Sequence, residues 1–113
     1  MKILYLTLTK EPFEAMQLGL KDREYREPSK WIRSRLIDSK TKQPKHFDVV
    51  LFRNGYENDK PYFAAKYLGF EYSQMNYSVT YANGFTVNVK KGYFRIKLGA
   101  IIKKGNIDSK ELF

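Results

Sequence analysis

At 113 residues with 42% hydrophobic side chains and no cysteine, the chain is the size of one domain and offers neither a disulfide framework nor a thiolate metal site. It carries a formal charge of +9, and the surplus is localised: residues 21–45 sum to +5, residues 90–104 to +6, and the remainder to −2. No apolar run approaches the roughly 20 residues of a membrane helix, and the opening residues are too strand-like for a signal peptide, so a cytoplasmic setting is expected.

Ile3 to Leu8 is a short β-rich apolar run and reads as a buried strand. Thr9 can cap a following helix that reaches Leu18, with Pro12 tolerated in the first turn and Phe13, Met16 and Leu20 on the inward stripe. Gly19 suits the helix stop, because a missing Cβ permits left-handed backbone. Asp22 to Arg26 then reads as a short strand, in which Glu24 and Arg26 share one face and Arg23 and Tyr25 the other. Lys21 sits at its mouth. A lysine, a carboxylate and an arginine so close can grip an anion, tune one another's protonation, or make a salt-bridged surface strand.

Ser29 caps a second helix, with Trp31, Ile32 and Leu36 expected inward and Lys30, Arg33 and Arg35 outward. Trp31 is read there as a core anchor. Asp38 to Lys45 is a polar loop, and His46, the only histidine, lacks the company of a metal site or triad. Phe47 to Phe52 is apolar on both faces and reads as a central strand, running into a polar turn at Arg53-Asn54-Gly55-Tyr56. Pro61 to Tyr72 is a long extended segment in which Gly69 marks a bend or bulge.

The next hairpin fixes its own register. A three-residue loop at Ala82-Asn83-Gly84 pairs Tyr81 with Phe85, Val79 with Val87 and Tyr77 with Val89, so that one face is wholly apolar. Phe94, Ile96 and Leu98 alternate with Arg95 and Lys97 in a last strand with one apolar and one basic face. The tally is an α+β domain: about six mostly antiparallel strands in a curled or barrel-like sheet, with both helices in the N-terminal half.

Gly19, Lys21, Glu24 and Arg26 form G-x-K-x-x-E-x-R, which resembles the signature of the ASCH domain, a branch of the PUA-like superfamily. The flanking strand and helix, the Arg53-Asn54-Gly55-Tyr56 turn and the late Ile96-Lys97-Leu98-Gly99 strand agree with it over nearly the whole chain. The resemblance implies a small β-barrel with a cleft lined by the motif, and an association with RNA or nucleotides. Some ASCH proteins are amidohydrolases of N4-acetylcytidine, and others have been described as ribonucleases. Lys21 matches the catalytic lysine of the amidohydrolases, whereas Glu24 stands where they carry a threonine nucleophile. Glu71 is the counterpart available for their later catalytic glutamate.

Charge and aromatic content point the same way. A localised positive field is the footprint of a polyanion, and spare Tyr and Phe beside Lys and Arg suit base stacking. The expected ligand is a nucleotide, nucleoside or single-stranded nucleic acid, RNA ahead of DNA. Lys21, Glu24 and Arg26 are expected on one wall, Arg53, Asn54 and Tyr56 opposite, and Lys97 in the basic surround. No cofactor or metal is expected. A hydrolase using Lys21 with Glu24 or Glu71 is the second expectation, and a module for an acidic protein partner the third.

Overall fold

The computed structural model describes residues 1–17, 22–55 and 60–105. Along them run β1 (Ile3–Leu8), α1 (Lys10–Gln17), β2 (Arg23–Arg26), α2 (Lys30–Leu36), β3 (Val49–Asn54), β4 (Tyr62–Tyr72), β5 (Tyr77–Thr80), β6 (Thr86–Val89) and β7 (Phe94–Gly105). Seven strands thus replace the expected six or so among the described residues. None of the described helices is long and apolar enough to cross a membrane.

Five strands form one curled, mixed sheet in the order β1-β3-β4-β7-β2, while β5 and β6 pair separately as a hairpin. β1 and β3 are parallel, in register from Ile3 opposite Val49 to Leu8 opposite Asn54. The other pairs are antiparallel. β1 alternates, burying Leu4, Leu6 and Leu8, whereas β3 buries Val49 to Phe52 without a break, as a strand covered on both faces must. The long β4–β7 pair slips register three times, and Gly69, at φ +90°, lies in the slip between Tyr67 and Phe70. Such bulges bend a strand and increase its twist, and they accompany the curl of this sheet.

The curl brings the two edge strands within reach of each other. Arg26 of β2 donates from Nη2 to the Thr7 carbonyl of β1 at 2.6 Å, across the open side of the sheet. Inside, Leu4, Leu6, Val50, Phe52, Phe63, Phe94 and Ile96 meet Phe13 and Met16 of α1 and Ile32 and Leu36 of α2. Ser29 caps α2 by accepting from the Ile32 N–H at 3.2 Å.

Two local expectations are corrected. Trp31 does not anchor the core: it is 47% exposed, with the Arg35 guanidinium 5.0 Å from its ring centroid. The inward stripe of so short a helix is taken by Ile32 and Leu36, four residues apart, and Trp31 is turned about 100° away from Ile32. The strand expected from Phe47 begins instead at Val49 and carries on through Arg53 and Asn54. Just ahead of it, Asp48 accepts the Lys2 backbone N–H on Oδ2 at 2.8 Å and donates its own N–H to the Lys2 carbonyl at 2.9 Å.

Candidate functional site

A cleft of about 400 Å³ opens between the C-terminal end of β1, strand β2 and the start of β6. Glu24, Tyr25 and Arg26 form one wall, Phe85 and Val87 another, and Thr7, Thr9 and Pro12 the floor at the β1–α1 junction. Glu24 is buried at 4% exposure. Its Oε2 accepts from Arg26 Nε at 2.9 Å and stands 2.9 Å from Nη2, while Oε1 accepts from the Tyr25 N–H at 3.1 Å. Side chains two apart on a strand point to one face, which is why the motif spacing yields this ion pair. Arg26 therefore holds Glu24 with one edge and the Thr7 carbonyl with the same Nη2, and its partly exposed guanidinium still faces the cleft.

Behind this pair lies a cluster of phenols. Burial, and then the Tyr77 and Tyr81 side chains, push the Tyr25 hydroxyl well above the ordinary tyrosine range. Tyr81 is raised by burial and by the charges of Asp22 and Glu24, against a hydrogen bond from Tyr25 that lowers it. The Tyr25 and Tyr77 rings meet edge-on at 6.3 Å, and Arg95 lies 5.8 Å from the Tyr77 centroid. Tyr25 and Tyr81 therefore stay neutral at physiological pH. Neither is poised as a base.

The remaining expected residues divide by sheet face. Asn54 and Gly55 join Arg26, Thr7, Thr9 and Lys10 around an adjoining hollow of about 470 Å³. Arg53 is buried, donating from Nη1 to the Lys60 carbonyl at 2.7 Å, with its guanidinium 5.2 Å from the Tyr62 ring centroid. It lines a third hollow with Tyr5, Trp31 and Arg35. Glu71 and Lys97 are not brought to Glu24. Glu24 stands opposite Ile96, itself opposite Phe70, whereas Tyr25 stands opposite Arg95, itself opposite Glu71. A one-residue offset reverses the face, so Glu71 points away from Glu24 and is held there by Arg95 at 3.3 Å and Arg23 at 4.0 Å. Lys97 pairs opposite Arg23 on that same face. Lys21 and Tyr56 lie outside the described residues. Among the described residues no three or more His, Cys, Asp or Glu gather as metal ligands.

Residue-by-residue reading missed Thr7, Tyr25 and Phe85 as cleft residues. Only the Tyr81–Phe85 pairing carried a signal, as a stacked cross-strand pair with centroids 6.0 Å apart. Comparison with protein-family models, curated proteins and solved structures finds no match for this chain.

Proposed function

We propose that the chain is an ASCH-type, PUA-like domain that binds a nucleotide or a single-stranded nucleic acid segment, RNA ahead of DNA, in the cleft beside Glu24 and Arg26. The observation that carries this reading is a buried carboxylate–guanidinium pair exposed along one edge to a cleft walled by Phe85 and Tyr25, in a protein of charge +9. A guanidinium edge offers donors to phosphate or base acceptors, and Phe85 offers a stacking surface. The basic face of β7 with Lys90, Lys91 and Lys97 adds sequence-independent attraction.

Catalysis on a modified nucleoside is the weaker reading. Its second carboxylate, Glu71, is ion-paired on the far face of the sheet, and Glu24 is already committed to Arg26.

Fluorescence anisotropy with labelled single-stranded RNA tests the binding reading. The log–log salt slope should be about −3 if about four phosphates are neutralised. Charge reversal at Lys90, Lys91 and Lys97 should weaken all sequences alike. Arg26→Lys should change preference among nucleotides, because an ammonium lacks the planar fork. Absence of binding to RNA or any nucleotide at low salt would transfer the basic surface to an acidic protein partner.

A further inference from the structure

Two large aromatic side chains stand open to solvent beside the cleft and take no part in the site described above: Tyr5 at 51% exposure and Trp31 at 47%. Scattered exposed aromatics need no explanation, but these two border a single hollow of about 270 Å³, shared with Arg35 and Arg53. That hollow is linked to the cleft through shared lining residues. It meets the Asn54 hollow at Thr7 and Gly55, and the Asn54 hollow meets the cleft at Thr7, Leu8, Thr9 and Arg26. A series of three neighbouring hollows thus follows edge strand β1, with Phe85 at one end, Trp31 and Tyr5 at the other, and Arg26 and Lys10 between.

We infer that the Trp31–Arg35 surface with Tyr5 is a second base-stacking subsite, and that the ligand is an oligomeric single strand running along β1 rather than a mononucleotide. The inference rests on the reading of the cleft as a nucleic-acid site and extends it. Aromatic platforms at both ends of a cation-lined series of hollows match a chain of phosphates bearing flat rings; a single nucleotide would occupy one end only. Arg35 contributes twice. Its guanidinium against the indole holds the ring in one orientation, and its charge lies where a phosphate must pass. Lys30 and Arg33, on the same short helix, extend the field. Stacking reads neither sugar nor sequence closely, so RNA and DNA single strands should both engage this end, with the Glu24–Arg26 end left to discriminate.

Trp31 is the chain's only tryptophan, so its fluorescence reports this surface alone. Intact protein should be titrated at low salt with hexameric oligo-rU and oligo-dT, and with UMP. Either hexamer should quench Trp31 while UMP leaves it unchanged, and Trp31→Ala should weaken hexamer binding by about 5- to 100-fold with UMP binding unaltered. Trp31→Phe should bind hexamers nearly as the parent does, which separates loss of a stacking ring from loss of structure. Circular dichroism should be the same for all three proteins, since Trp31 lies outside the core. If hexamers bind without quenching Trp31 and tolerate Trp31→Ala, this inference falls while the cleft reading stands. If UMP quenches Trp31 as strongly as the hexamers, the subsite serves a mononucleotide and the inference also falls. Failure of every nucleic-acid probe to bind overturns the cleft reading and this extension together.

Discussion

Arg26 is the side chain in which a structural role meets the proposed recognition role. It neutralises a buried carboxylate and ties the Thr7 carbonyl of the opposite sheet edge, while lining the cleft. Removing one partner of a buried ion pair costs more than the pair is worth, because the other charge is left desolvated. Arg26→Ala should therefore lower stability by about 2–3 kcal/mol in urea denaturation, and the double variant Arg26→Ala/Glu24→Gln should recover part of that loss. Unchanged stability in the single variant would show that the clasp is not needed. Glu24 also bears on chemistry. On the proposed ASCH reading, Glu24 stands where the amidohydrolases use a threonine hydroxyl, and a carboxylate offers no activated hydroxyl and opposes an oxyanion nearby. Purified protein should not hydrolyse N4-acetylcytidine efficiently, and activity appearing only in Glu24→Thr would mark a shared scaffold. Turnover by the parent, abolished in Glu24→Ala, would establish the enzyme reading instead.

Among the elements, the β5–β6 hairpin follows its sequence most closely. Tyr77 stands opposite Val89 and Val79 opposite Val87, with the Tyr81 N–H donating to the Phe85 carbonyl at 2.8 Å. Gly84 closes the loop at φ +86°, and a Cβ there would meet nothing within 4 Å. Substitution therefore tests backbone conformation without steric interference. Gly84→Val should cost about 1–2 kcal/mol, and Gly84→Asn much less, because asparagine tolerates left-handed backbone. Thermal denaturation of the two variants checks the order; equal losses would mean that φ does not limit this turn. β2 offers the contrasting case. Its internal alternation correctly put Glu24 and Arg26 on one face, but nothing local says that the strand pairs with β7. Glu71 illustrates the consequence. A glutamate available in sequence is directed away from Glu24 by a register set across three strands.

Over the whole molecule, buried phenols make stability fall at alkaline pH. Burial pushes the Tyr67 hydroxyl from 10.0 up to about 12, and Tyr25 and Tyr81 are raised as well. The folded state holds these protons after the unfolded chain has released them. Their contribution is thus complete below about pH 10 and is lost as pH climbs through the folded values. The melting temperature should decline between about pH 10 and pH 12, and Tyr67→Phe should make that decline shallower. Because the Tyr67 hydroxyl is buried without a hydrogen-bond partner among the described residues, the same variant should lose no stability at neutral pH. An identical alkaline profile in Tyr67→Phe would remove Tyr67 from the account.

Local chemistry alone was enough for the strand periods, the Ser29 cap, the hairpin register, the Gly69 bulge and the Glu24–Arg26 face, since each depends on neighbours a few residues apart. The buried strand at Val49 to Phe52 was legible for the same reason, as an unbroken apolar run. Trp31 misled because hydrophobicity does not say which side of a seven-residue helix faces the core, and that choice fell to Ile32 and Leu36. Strand order, the parallel β1–β3 pair and the meeting of Arg26 with Thr7 join residues far apart in the chain. Their free energy comes from closing the curled sheet around a shared core, a property of the assembled fold that no single segment encodes. The series of hollows along β1 belongs with them: Phe85, Arg26, Asn54 and Trp31 come to line neighbouring hollows only once both sheet edges curl together.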